Sequence, residues 1–236
     1  MKKYLMFVSL PYAYPIMRPL QREIRRRGDD VAWFIEEGCP DQLAEGERRL
    51  ATIAEVMEYD PIAVFAPGNH IPDFFPGVKV QLFHGYPINK RNDRHDDHFT
   101  VRGWFDIYCT QGPTSTGPFR EQERRYGYFR VYETGWTKAD DYFSPEMQAP
   151  PHNARPVVLY STTFTRSLTS TPYLADEIEH LVAERDWEWI FMFHPKLDDR
   201  AVIDRYARIA AAHDNVTFLG TTFDFGALRR ADVLLC

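Results

Sequence analysis

Two histidines in this sequence share one local setting. The run Val78-Lys79-Val80-Gln81-Leu82-Phe83 ends in His84-Gly85, followed by Pro87 and the cations Lys90 and Arg91. The run Trp189-Ile190-Phe191-Met192-Phe193 ends in His194-Pro195-Lys196. An imidazole titrates near neutral pH and can both give and take a hydrogen bond, so a histidine at a strand end suits general acid–base chemistry. Lysine and arginine beside it suit an anionic ligand, and Gly85 lets backbone approach that ligand closely. Each histidine alone is equally well a solvated residue capping a strand; the repetition points to a shared anionic ligand.

Other polar stretches fall at similar places. Tyr160-Ser161-Thr162-Thr163-Phe164-Thr165-Arg166 offers hydroxyls, amides and a guanidinium directly after an apolar run. Gln111-Gly112-Pro113-Thr114-Ser115-Thr116 opens a helix, where its hydroxyls serve either a phosphate or ordinary capping. Asp93-Arg94-His95-Asp96-Asp97-His98 has imidazoles among carboxylates, but no matching ligand group stands out elsewhere. It reads as a mobile loop covering substrate rather than a metal site.

The elements that must position these residues follow an α/β rhythm. Strand Tyr4–Val8, a helix through Met17, Leu20 and Ile24 closed by Gly28, and strand Val31–Ile35 form a βαβ unit with right-handed crossover. A mostly polar helix is expected over Leu43–Met57, then strands Ile62–Ala66, Val78–Phe83, Phe105–Cys109 and Arg130–Glu133, with a helix through Arg125 before the last. Pro145, Pro150, Pro151 and Pro156 mark residues 144–156 as a linker between domains 1–143 and 157–236. The rhythm then restarts: strand Val157–Ser161, helix Leu174–Arg185, strand Trp187–Phe193, helix Val202–Ala212, strand Val216–Leu219, a short helix at Phe225–Arg230 and strand Asp232–Cys236. The fold expected is thus α/β, two Rossmann-like domains with parallel sheets, their histidine-bearing edges defining an interdomain cleft.

Composition removes several classes. Lys and Arg number 28 against 34 Asp and Glu, a net charge of −6, which argues against phosphate-driven nucleic-acid binding. Three scattered cysteines, Cys39, Cys109 and Cys236, give neither a disulfide framework nor zinc spacing, and fit a reducing cytoplasm. Ser9–Tyr14 lacks the glycines of a dinucleotide loop. Met1–Val8 starts like a signal peptide but has no cleavage pattern, and no run of eighteen apolar residues exists. Arg25–Arg27 reads as a solvated helix end in preference to a membrane contact.

These residues resemble a known family. Leu82-Phe83-His84-Gly85-Tyr86-Pro87 is similar to the strand and His-Gly-Thr-Pro turn of the CDP-glycerol glycerophosphotransferases of teichoic acid and capsule synthesis. Tyr160–Phe164 is similar to their Tyr-Ala-Pro-Thr-Trp loop, Phe193-His194-Pro195 to their His-Pro element, and Gly135–Asp140 to their Gly-x-Pro-x-x-Asp turn. The likeness runs in order from about Val80 to the end. Tyr86 replaces the motif threonine, Thr162 the proline, the lysine is displaced to Lys90 and Arg166 lies one residue late. The chain also stops at Cys236, where the family carries an Asp-x-Ser-Ser phosphate turn, so the second domain is expected to be incomplete.

The resemblance implies a GT-B-like pair of domains and metal-independent transfer of glycerol phosphate from CDP-glycerol to a polymer or lipid-linked hydroxyl, releasing CMP. His84 would be the general base and His194 the donor to the pyrophosphate, with Gly85, Lys90, Thr163, Arg166 and Lys196 as phosphate or substrate contacts. It implies no cofactor and no nucleic-acid partner, only a nucleotide-activated donor, an acceptor and peripheral contact with the inner face of the cell membrane. Two alternatives stay open: a GT-B glycosyltransferase using a nucleotide sugar, and a non-catalytic fragment that binds nucleotide or glycan.

Overall fold

The computed structural model describes residues 1–85, 99–143 and 152–236, and among these no helix is long and apolar enough to cross a membrane. The chain divides into two compact units, Met1–Asp141 and Tyr142–Cys236.

The first unit runs β1 (Lys3–Val8), α1 (Ala13–Arg26), β2 (Asp30–Ile35), β3 (Arg48–Leu50), α2 (Ile53–Tyr59), β4 (Ala63–Ala66), β5 (Val78–Leu82), β6 (Ile107–Thr110), α3 (Pro113–Tyr126) and β7 (Arg130–Glu133). A 3-10 turn at Thr137–Ala139 and the start of α4 (Asp140–Phe143) follow. All strands pair in parallel, in the order β3-β2-β1-β4-β5-β6-β7. Alternation along β1 shows why it is central. Leu5 and Phe7 join the layer of Val56, Tyr59 and Phe119, while Met6 and Val8 join that of Ile16, Met17 and Trp33. A strand buried on both faces must be apolar throughout, which Tyr4–Val8 is.

The second unit contains β8 (Val157–Tyr160), α5 (Ala175–Glu184), β9 (Glu188–Met192), α6 (Arg200–Ala212), β10 (Val216–Gly220), α7 (Phe225–Arg230) and β11 (Val233–Leu235). Its parallel order is β10-β9-β8-β11. Tyr160, Trp189 and Phe191 face α5 and α6; Leu159, Ile190 and Met192 face Ala227 of α7. In both units, therefore, the strand order reverses beside the first strand, between β1 and β4 and between β8 and β11. Ligands of open α/β sheets bind outside the carboxyl ends at such a point.

One expected element is corrected. In place of a helix over Leu43–Met57 the chain forms β3 and the shorter α2. Gly46 takes a left-handed φ of 79°, which ends any helix there. Thr52 Oγ1 then accepts from the Glu55 N–H at 3.2 Å, and Glu55 Oε2 accepts from the Ala51 N–H at 2.8 Å. This reciprocal cap starts α2 at Ile53, and its Thr-x-x-Glu signature is present in the sequence.

A buried carboxylate fixes the loop after β2. Glu47, with only 4% of its side chain exposed, accepts from Arg18 Nε and Nη2, from Gln21 Nε2 and from the Ala44 N–H at 2.8–3.1 Å. Gln21 Oε1 in turn takes the Trp33 indole N–H at 2.6 Å. Burial alone would raise the Glu47 carboxyl, but these donors outweigh it and hold it below the usual carboxylate range. Glu47→Ala should lower stability by about 3 kcal/mol in urea unfolding, because Arg18 loses its charge partner. The folded-state value is depressed, so this contribution is present above the unfolded carboxyl's range and is lost as pH falls through the folded one. A difference between the two proteins that stayed constant on acidification would contradict this.

Candidate functional site

His84 lies two residues beyond the end of β5, at the carboxyl edge of the first sheet. Its Nδ1 is 3.1 Å from the Pro67 carbonyl oxygen, in the loop after β4. A carbonyl can only accept, so in the neutral ring Nδ1 carries the proton and Nε2 the lone pair. The ring stacks on Tyr12, from the loop after β1, with centroids 4.6 Å apart and planes 28° apart. Burial, with the Cys39 thiol adding, pushes the Tyr12 phenol up, so it remains protonated. His84 is thus held by loops from either side of the strand-order reversal.

Those loops are held in turn. Gln81, buried within β5, donates through Nε2 to the Gly68 carbonyl at 2.9 Å. A Cβ on Gly68 would lie 3.1 Å from Ser9 Oγ, so the β1 and β4 loops approach each other closely there. The Gly85 carbonyl accepts from Gln111 Nε2, at the end of β6, at 2.9 Å. Beside this edge His70 Nε2 meets both Glu36 oxygens at 3.2 and 3.3 Å, while its ring lies edge-on to Phe7.

At the second sheet's carboxyl edge, His194 Nδ1 accepts from the Lys196 N–H at 3.0 Å. Its neutral proton therefore sits on Nε2, the opposite tautomer to His84. The His194 N–H donates to the Thr162 carbonyl at 3.2 Å, which ties the β9 end to the loop after β8. Phe164 packs on the His194 ring at 4.5 Å, and Lys196 Nζ lies 5.6 Å above the Phe164 ring. Thr163 and Arg166 belong to the same loop, Thr163 half-buried and Arg166 exposed.

The structure thus brings His194 and Lys196 together with the loop bearing Thr163 and Arg166 in the second unit, and His84 with Gly85 in the first. Lys90, the Asp93–His98 run, Tyr86 and Pro87 lie outside the described residues. In the Gly112–Thr116 turn the hydroxyls of Ser115 and Thr116 fold back on the helix's own first turn, and no side chain caps the N-terminus of α3. Ser115 Oγ and Thr116 Oγ1 both bond the Gly112 carbonyl, at 3.0 and 2.8 Å, and both residues are buried. Among the described residues no cluster of His, Cys, Asp and Glu could hold a metal ion. Burial pushes the Cys109 thiol up to about 11, too high for a resting nucleophile at neutral pH.

Sequence reasoning missed Tyr12, Pro67, Gln81, Gln111 and the His70–Glu36 pair. Pro67-Gly68-Asn69 signals a turn, but no local pattern says that its carbonyl meets a histidine. Thr162 is present in the resemblance only as a substituted proline, yet its hydroxyl is buried without a hydrogen-bond partner.

No family model matches the sequence, and no curated protein does. Solved structures match in fold. The co-structure of S. aureus MnaA with UDP is 12% identical at a TM-score of 0.58, covering 98% of this chain and 71% of that one. A UDP-GlcNAc 2-epimerase from Methanocaldococcus jannaschii is 10% identical at 0.53, covering 99% and 78%. A further UDP-N-acetylglucosamine 2-epimerase is 11% identical at 0.55, covering 99% and 74%. Identities this low show the fold: an α/β chain of GT-B kind, with a seven-stranded and a four-stranded parallel sheet.

The tautomers can be checked directly. Long-range ¹H–¹⁵N spectra at a pH where the rings are neutral should show His84 protonated at Nδ1 and His194 at Nε2. The same tautomer at both positions would remove the distinction on which their roles rest.

Proposed function

We propose that this chain is a transferase that moves a group from a nucleotide-activated donor to a hydroxyl, with glycerol phosphate from CDP-glycerol as the group and a polymer or lipid-linked acceptor. The observation that carries the reading is the pair of opposite tautomers at the two carboxyl edges. A base needs a lone pair where the substrate proton is, and an oxyanion needs a hydrogen where its charge grows. His84 offers Nε2 as acceptor; His194 offers Nε2–H as donor.

In the proposed step the acceptor hydroxyl gives its proton to His84 Nε2, and its oxygen attacks the phosphorus bearing glycerol. The bond from that phosphorus to the oxygen bridging to CMP breaks, and CMP leaves with the electron pair. His194 Nε2–H, with Lys196, Arg166 and the Thr163 hydroxyl, stabilises charge on the phosphate oxygens. Gly85 gives the acceptor room beside His84, and Lys90 adds positive charge. The step uses no metal and no cofactor. The order of motifs shared with the glycerophosphotransferases supports the choice of donor.

The second reading is a nucleotide-sugar enzyme. It is favoured by fold neighbours that are described as UDP-N-acetylglucosamine 2-epimerases, one protein among the neighbours being solved with UDP. Separate incubation with CDP-glycerol, UDP-sugars and CMP-sugars decides between the two by the nucleotide released; release from none favours a binding role alone.

His84→Ala should lower turnover by about 10²–10⁴-fold, the usual contribution of a positioned base, with donor affinity nearly unchanged. His194→Ala should weaken CDP-glycerol or CMP binding in titration calorimetry. Near-native turnover in the first variant, or unchanged affinity in the second, removes the corresponding role.

A further inference from the structure

The loops after β1, β2 and β4 meet at the strand-order reversal, and one pair of side chains there has no part in the proposed step. Glu36 directly follows β2 and His70 lies in the loop after β4, so the pair straddles β1 at the carboxyl edge. His70 Nε2 is 3.2 and 3.3 Å from the two Glu36 oxygens. Both residues are held in place. The Glu36 N–H donates to the Val8 carbonyl at 2.8 Å, and the Glu36 carbonyl takes the Cys39 N–H at 3.1 Å across a turn in which Gly38 has a left-handed φ of 83°. The His70 ring lies edge-on to the buried Phe7, with centroids 5.8 Å apart. The two side chains are nevertheless 50 and 40% exposed, and an ion pair this open to water contributes little to stability.

The chemistry of the pair selects a ligand. An ionised carboxylate only accepts, so His70 Nε2 carries a proton, and in the neutral ring Nδ1 has the lone pair. Each Glu36 oxygen keeps a further lone pair, so the pair offers three acceptor atoms side by side. Ser9, against which Gly68 packs, and the exposed Asn69 add a hydroxyl and an amide that both give and accept. The three loops of this edge, residues 9–12, 36–47 and 67–77, contain no lysine or arginine. The cations that reach the second loop from outside are engaged, Arg18 by Glu47, Arg25 by the Gly46 carbonyl and Arg49 by Asp41. Such a surface disfavours phosphate and suits the hydroxyls of an uncharged polyol. Pro67, whose carbonyl orients His84, is three residues from His70, a reach of at most about 11 Å.

We infer that Glu36 and His70 bind neighbouring hydroxyls of a neutral polyol, a sugar or glycerol terminus, with one further hydroxyl directed to His84. The inference rests on the transferase reading only in making this polyol the acceptor.

The test titrates the full chain with glycerol, methyl glucoside, 1-propanol and glycerol 3-phosphate, following the His70 ring in ¹H–¹⁵N spectra and each ligand by saturation transfer. Glycerol or methyl glucoside should shift the His70 signals saturably, the tighter of the two naming the kind of terminus. 1-Propanol and glycerol 3-phosphate should bind about tenfold more weakly or less. Glu36→Gln and His70→Phe should each weaken polyol binding by about tenfold, the effect of losing a hydrogen bond to a charged group, at unchanged melting temperature. No saturable shift in the parent chain, equal binding of 1-propanol or of glycerol 3-phosphate, or polyol affinity kept in both variants overturns the inference. In the donor incubations the same variants should raise the acceptor KM by a similar factor and leave donor affinity unchanged. Polyol binding without turnover of any donor removes the transferase reading and leaves this site; turnover whose acceptor KM neither variant changes removes this site and leaves that reading.

Discussion

A parallel strand buried on both faces has no room for a polar side chain except at its ends. This constraint organises both units. β1, β8 and β9 are apolar almost throughout, and each fully buried large side chain contributes about 1.5–3 kcal/mol relative to exposure. Chemistry is therefore displaced to the loops beyond the strands, and the order of the strands decides which loops meet. In the first unit the reversal beside β1 brings Tyr12 and Pro67 to His84.

The loops at such an edge must satisfy their own backbone groups without regular structure, since an unpaired buried group costs about 1–3 kcal/mol. Here side chains take much of that role. Gln81 serves the Gly68 carbonyl and Gln111 that of Gly85, while the Thr162 carbonyl takes the backbone N–H of His194. Two further bonds of this kind, from His84 Nδ1 to the Pro67 carbonyl and from the Lys196 N–H to His194 Nδ1, satisfy backbone groups and set the histidine tautomers at once. Gln111 Oε1 and Thr162 Oγ1 are exceptions, buried without a partner.

The two ends of one sheet differ in physical character. At the carboxyl end the exposed groups are imidazoles, hydroxyls and amides held by hydrogen bonds. At the amino end of β4 to β7 exposed aliphatic and aromatic side chains lie among arginines and carboxylates. A parallel sheet separates the two sets of groups by construction, since every strand presents the same end to the same side.

The sequence by itself determined the element rhythm, the parallel α/β class and the placement of His84 and His194 at strand ends, because hydrophobic runs and their interruptions are local signals. It misread Leu43–Met57, where Gly46 and the Thr52–Glu55 cap outweigh a weak helical pattern. It left the Gly112–Thr116 turn undecided, since hydroxyls that cap a helix and hydroxyls that bind phosphate have the same spelling. Only the tertiary structure decided that Pro67 orients His84, that Tyr12 stacks on it, and that Ile62, Val78, Trp104 and Tyr128 line up along one edge. Pro67 and Tyr12 are 17 and 72 residues from His84, and Ile62 and Tyr128 are 66 apart. Their meeting depends on strand order, a long-range property that no local spacing encodes.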